Sequence, residues 1–213
     1  MTDLTLYIGN KNYSSWSMRP YLVLLKAELP FRETLIQLDV PGFKEKLLAL
    51  SDAGTVPVLH VGDEMIPDSL AISDWAALCV PNLWPKDEKD RREARNMCLQ
   101  MQEEFTQLRT HAPMNLRRRT RTKMPDTCIK DARQMTDIWE DCLSRHDGPF
   151  LFDNWSIVDA FATPYATRFV SYDIARPAKA DTYISELMAD EDYLNWEADA
   201  LIEAWTLPDT DNI

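Results

Sequence analysis

This chain of 213 residues has few glycines (5), cysteines (4) and histidines (3), and it has no long apolar run. No stretch approaches the ~18 consecutive apolar residues of a membrane span, so none is expected. The opening Met1-Thr2-Asp3-Leu4 has no basic region ahead of its apolar stretch. That is unlike a secretory leader, and a cytoplasmic protein is expected. The cysteines (Cys79, Cys98, Cys128, Cys142) stand alone, with no C-x-x-C pair, and His60, His111 and His146 are scattered. Neither a metal site nor a disulfide framework is expected, only free buried thiols. Bases are outnumbered, 23 against 35 acids, for a net charge of −12. That argues against general binding of nucleic acid or anionic membranes.

What is present is ordinary for a folded chain: 45% apolar and 27% charged residues. These values exclude a disordered, collagenous or low-complexity chain. The length suits one ordinary or two small domains with a sizeable core. The acid is uneven, since residues 181–213 carry ten acids and no Lys or Arg. A solvated helix face accounts for such a tail.

The first 80 residues alternate in character. Leu4 to Ile8 reads as a strand ended by Gly9-Asn10, and Phe31 to Leu38 and Val56 to Val61 read as further strands. Gly62-Asp63-Glu64 is a hairpin turn, and Met65-Ile66 starts the partner strand. Met18–Glu28, Phe43–Leu50 and Leu70–Cys79 have helical spacing. The order β-α-β-α-β-β-α indicates an α/β layer with a mixed four-stranded sheet. Residues 81–86 read as a linker. Beyond them, 87–110, 124–145, 156–172 and 181–205 are helical, with Pro164 inside a helix that it should kink. The fold class is therefore α/β (1–80) followed by an all-helical part (87–213).

Three segments bear chemistry. Asn12-Tyr13-Ser14-Ser15-Trp16-Ser17-Met18-Arg19-Pro20 lies between the first strand and first helix. Pro20 is tolerated in a first turn, which predicts a helix start near 16 or 17. Ser14 and Ser15 then stand where free N–H groups and partial positive charge favour an anion, a thiolate included. The same serines read equally as plain N-caps. In Thr55-Val56-Pro57-Val58-Leu59, Pro57 is either an edge-strand proline or a cis peptide. A cis bond would turn the Val56 N–H and C=O outward, free to pair with a ligand's backbone. In Pro67-Asp68-Ser69-Leu70-Ala71-Ile72, Asp68 and Ser69 open a helix. They are caps, or an acid and a hydroxyl suited to the two charged ends of an amino acid.

In this order and spacing the segments resemble the glutathione S-transferase family over nearly the whole chain. Ser14-Ser15-Trp16-Ser17-Met18-Arg19 is most similar to the S-S-C-S-W-R motif of its zeta class, the maleylacetoacetate isomerases. Ser156-Ile157-Val158-Asp159 is similar to the capping box that opens the family's buried core helix, and it is a capping signal in itself. The resemblance implies a thioredoxin-like first domain, an all-helical second domain, glutathione as co-substrate and a homodimer. It implies that Ser14, or its neighbour Ser15, hydrogen-bonds the glutathione sulfur. Val56 and Pro57 would hold the cysteinyl backbone, Asp68 the γ-glutamyl group and Ser69 its carboxylate. Trp16 replaces the zeta cysteine, close to where the second substrate lies. Arg168 falls about one turn from the core-helix arginine linked to the substrate carboxylate.

The activity implied is attack of a glutathione thiolate on a small electrophile. The alternatives are a zeta-like cis–trans isomerase and a non-catalytic module of the same fold. The basic run Arg117–Lys123 reads as a solvated loop, or as attraction for an anionic substrate. Trp75, Trp84, Trp139, Trp155, Trp196 and Trp205 read as core or interface fillers.

Overall fold

The computed structural model describes residues 3–213. Strand β1 (Leu4–Ile8) buries Leu4, Leu6 and Ile8, the alternation of a strand whose one face meets a core. With β2 (Arg32–Leu35), β3 (Val58–Val61) and β4 (Glu64–Pro67) it forms a sheet of order β2-β1-β3-β4. β1 runs parallel to β2, with Leu6 opposite Glu33, and antiparallel to β3, with Leu6 opposite Leu59. β3 and β4 form the hairpin around Gly62-Asp63, with Val61 opposite Glu64. A parallel pair requires a crossover, and α1 (Ser15–Lys26) supplies it. Helix α2 (Phe43–Leu50) buries only Leu47, whereas α3 (Ser69–Cys79) packs beside α1 on the sheet. This is the thioredoxin-like arrangement that the sequence predicts.

The rest of the described chain is helical: α4 (Glu88–Glu103), α5 (Thr106–His111), α6 (Asp126–Leu143), α7 (Ile157–Ser171), α8 (Ala178–Ala189), α9 (Glu191–Ile202) and the short α10 (Pro208–Asp211). Two helices expected as single pieces are divided. Phe105 takes a left-handed backbone (φ 55°) between α4 and α5 while its ring is buried against Tyr165. Asp190 ends α8 and caps α9, accepting the N–H groups of Asp192 and Tyr193. Helix α7 is the centre of this half: every residue except Val170 is buried, and it packs on α1, α4 and α8. Pro164 lies inside it without ending it. Two expectations about burial are corrected, since Cys79 and Trp205 lie at the surface. Cys79 follows the outer face of the last turn of α3, and Trp205 lies beyond the end of α9.

The two halves are tied through α1. The indole of Trp196 on α9 packs edge-on against Tyr21, and its N–H donates to the Lys11 carbonyl. The Lys11 ammonium is buried between Asp199 (2.6 Å) and Glu33 (2.8 Å), bridging α9 to β2.

Candidate active site

The N-terminus of α1 begins earlier than Pro20 suggests. Ser14 is the N-cap: its carbonyl accepts from Met18 N–H (3.2 Å) and its hydroxyl oxygen from Ser17 N–H (3.4 Å). Pro20 therefore falls in the second turn, and the helix forgoes the hydrogen bond to the Trp16 carbonyl that an N–H at 20 would make. The Ser14 hydroxyl donates to Ser17 Oγ (2.8 Å), which also accepts Gly9 N–H (3.0 Å). Gly9 packs closely here: a Cβ on it would lie 2.7 Å from Leu38 Cδ1 and 3.1 Å from Ser14 Oγ, so the Leu38 side chain would have to shift. The first turn of α1 holds no acidic residue, and its Trp16 N–H has no protein partner among the described residues. Its positive end is left open to an anion.

A cavity of about 370 Å³ lies against this turn. Its lining includes Trp16, Thr55, Val56, Pro57, Asp68 and Ser69, so residues from all three sequence segments meet in one place. The Val56–Pro57 peptide is cis. β3 begins only at Val58, so the polar backbone of Val56 lies outside the sheet's ladder. Asp68 combines the N-cap of α3 with a left-handed φ of 81°, uncommon for a residue with a side chain. One carboxylate oxygen accepts from Leu70 and Ala71 N–H groups (2.8 and 3.0 Å). The other accepts from the Gln102 amide (2.9 Å), which also donates to Ser69 Oγ (3.2 Å). Gln102, on α4, is a site residue the motifs did not point to. It is 34 positions from Asp68 with no local pattern to mark it.

Ser14, Ser15 and Arg168 are buried beside the cavity and do not line it, although Arg168 reaches Ser15 from α7. Its guanidinium donates to Ser15 Oγ (3.4 Å) and to the Pro164 carbonyl, and lies 5.0 Å over the Tyr165 ring. Arg19, on α1, is a second buried cation nearby. It is fully buried between the rings of Trp16 (4.3 Å) and Phe161 (4.9 Å), and it donates to the Met101 carbonyl. Burial lowers the pKa of both guanidinium groups to about 10, so both stay charged at neutral pH. Neither is ion-paired among the described residues, and Nε of each, with Nη1 of Arg19, lacks a hydrogen-bond partner.

The basic run is solvated at Arg119, Arg121 and Lys123, as one expectation has it, and its first arginines also hold the C-terminal segment. Arg117 donates to the Tyr13 hydroxyl (2.9 Å) and to the carbonyls of Glu203 and Trp205 (2.9 and 2.7 Å). Arg118 donates to the carbonyls of Asp211 and Ile213, and Arg119 pairs with Glu197 (3.0 Å). Glu203 in turn accepts the N–H groups of Lys11 and Asn12. The acidic C-terminal segment is thus moored on the loop before Ser14 by these arginines. Among the described residues no cluster of His, Cys, Asp or Glu could hold a metal, and no helix is long and apolar enough to cross a membrane.

Known proteins share this fold. Residues 13–78 match the family model "Glutathione S-transferase, N-terminal domain". A glutathione transferase homologue from Burkholderia gl BGR1, solved with bound glutathione, superposes with a TM-score of 0.74 at 19% identity, covering 94% of this chain and 100% of that one. The Tau class glutathione S-transferase of mango, Mangifera indica, gives 0.70 at 18%, covering 92% of each chain. A homologue from Sulfitobacter, also with bound glutathione, gives 0.64 at 18%, covering 95% and 100%. No curated protein matches the sequence. Residues 13–78 thus resemble the glutathione S-transferase N-terminal domain, and the described chain has the glutathione transferase fold.

Proposed function

We propose that this protein is a glutathione transferase that ionises the glutathione thiol at the start of α1 and directs it at a small electrophile. The observation that carries the reading is the one cavity lined jointly by Trp16, Val56, Pro57, Asp68 and Ser69. The relatives with bound glutathione support it. Val56 offers backbone polar groups to the cysteinyl part. Ser69 offers a hydroxyl to the γ-glutamyl carboxylate, and the Asp68 carboxylate faces its ammonium. A free thiol has a pKa near ~8.5, so only a few per cent is thiolate at neutral pH. Hydroxyl donation from the Ser14-Ser15 pair and the open helix end stabilise the thiolate. The proton leaves to solvent and the serine keeps its own. The thiolate then adds to the electrophile beside Trp16.

The reading includes a glutathione-side domain (1–80), a linker (81–86) and a substrate-side domain (87–213), in a cytoplasmic homodimer with a role in detoxification. A zeta-like isomerisation would use the same thiolate addition, followed by bond rotation and expulsion of glutathione. The buried cation of Arg168 beside Ser15 favours keeping it as a second reading. Calorimetric titration with glutathione, paired with conjugation of an aryl halide, tests the main reading. Binding that Ser69→Ala weakens, with turnover, supports it. Absence of binding leaves a non-catalytic module. Isomerisation of maleylacetone without conjugation moves the assignment to the second reading.

A further inference from the structure

The cavity offers its two ends unequally. At one end Asp68, Ser69 and Gln102 form a hydrogen-bonded cluster. The Gln102 amide donates to the Asp68 carboxylate (2.9 Å) and to Ser69 Oγ (3.2 Å), and Asp68 also caps α3 through Leu70 and Ala71. The Asp68 carboxylate is the one charged group in the lining among the described residues. At the other end stand Ala53 and Thr55, both exposed and both uncharged. Chain order gives the direction. Ala53, Thr55, Val56 and Pro57 lead into β3, and Pro67 pairs with Val58. Asp68 and Ser69 therefore flank Val56 on the hairpin side, and the loop of Ala53 and Thr55 flanks it on the other.

Glutathione is linear, with its thiol on the middle residue. Its γ-glutamyl end at Asp68 and Ser69, and its cysteinyl backbone at Val56, carry the glycyl residue to Ala53 and Thr55. Neither of those side chains bears a charge to pair with a carboxylate. The bases nearest in sequence, Lys44 and Lys46 on α2, are exposed and outside the lining. An exposed, flexible ammonium adds at most about fivefold to binding. The glycyl carboxylate thus keeps its water, and blocking it removes no partner that the protein supplies. Removing the γ-glutamyl residue, in contrast, takes away every group that Asp68 and Ser69 meet. We infer that the site selects the γ-glutamyl-cysteinyl part of its thiol and is indifferent to the glycyl carboxylate. Its ligand class is then γ-glutamylcysteinyl thiols whose third residue is absent, free, or blocked as an ester or amide. The inference rests on the proposed glutathione reading and names which thiols that site accepts.

The test is calorimetric titration of the whole protein with four thiols: glutathione, its glycyl monoethyl ester, γ-glutamylcysteine and cysteinylglycine. The ester and γ-glutamylcysteine are expected to bind within about threefold of glutathione, because no charged partner is lost. Cysteinylglycine, which lacks the γ-glutamyl residue, should bind about tenfold more weakly or worse. Ser69→Ala should weaken the first three thiols alike, so that their ratios persist. The double variant Lys44→Ala/Lys46→Ala should leave all three affinities within about twofold of wild type. An ester bound about tenfold more weakly than glutathione overturns the inference, because a protein cation then pairs with the glycyl carboxylate. A preference for glutathione over the ester that disappears in the double lysine variant overturns it as well, and places that cation on α2. Cysteinylglycine bound as tightly as glutathione overturns the selection of the γ-glutamyl end. If none of the four thiols binds, the proposed glutathione reading itself fails, an outcome distinct from any ranking among thiols that do bind.

Discussion

Helices α1 and α7 start from the same local material and end up with opposite electrostatics. Each follows a serine N-cap, carries an internal proline and holds a buried arginine. At α7 the Asp159 carboxylate reaches back to the Ser156 N–H (2.8 Å) and hydroxyl (3.2 Å), and accepts from Leu151 N–H and the Tyr183 hydroxyl as well. The positive end is neutralised within the chain, and the helix can serve as the centre of the core. At α1 the corresponding residue is Ser17, which bonds Ser14 and Gly9 and brings no charge. One cap is closed on itself and the other waits for an anion. The difference teaches that a serine at a helix start says little alone. The residue three positions on decides whether the end is sealed or available.

The largest expected effect lies at the sealed end. Asp159→Ala leaves the Leu151 and Ser156 N–H groups and the Tyr183 hydroxyl without their buried acceptor. Urea unfolding should show a loss of about 3 kcal/mol or more. Ser14→Ala removes a single cap bond at the open end and should cost about 1 kcal/mol. Equal losses would break the contrast between the two ends.

The pH dependence of stability sharpens it. Burial raises the Asp159 carboxyl to about 6, although its hydrogen bonds to Tyr183, Ser156 and Leu151 pull the other way. The unfolded value is near ~3.9, so between these pH values the native state holds a proton that the unfolded state has released. The contribution of this group to stability therefore grows as pH falls from about 6 toward 4, and is lost as pH rises through 6. The difference in urea midpoint between wild type and Asp159→Asn should follow that trend. A difference that does not vary with pH would mean that Asp159 stays ionised.

Smaller effects are expected around the open end. Gln102→Ala frees Asp68 and Ser69 from their clasp on α4. Glutathione affinity should fall several-fold, roughly the worth of one hydrogen bond, while stability changes little. Calorimetry checks it, and unchanged affinity would make Gln102 a surface residue only. Arg117→Ala cuts two carbonyl contacts that moor the C-terminal segment. It should raise the rate of proteolysis beyond Glu203 and leave the cavity intact. Gly9→Ala presses on Leu38 and Ser14 without touching the cavity lining. A drop of a few degrees in melting temperature is its expected result.

Much of the fold is legible in the chain. The order of strands and helices follows from apolar spacing, since period and turn residues are properties of short segments. The three site segments are legible for the same reason: each combines a cap, a strand start or a turn encoded within nine residues. The details missed have physical causes. Pro20 suggests a later helix start, but α1 is buried against α3 and α7, and that packing carries the helix back to the Ser14 cap. Phe105 broke a helix because burying its ring decided the backbone, which no periodicity reveals. The partners of Arg117 to Arg119 in the C-terminal segment lie 78 to 95 positions away, beyond the reach of any local pattern.

The sequence by itself determined the order of strands and helices and the local caps and turns, because each depends on neighbours within a turn or a strand. Only the tertiary structure decided the electrostatics of the site. Arg168 meets Ser15 across 153 positions, and Gln102 meets Asp68 across 34. Arg19 is left without an anion because α4 and α7 close over it. The cost of a buried charge depends on everything packed around it, and that environment exists only once the two domains have come together.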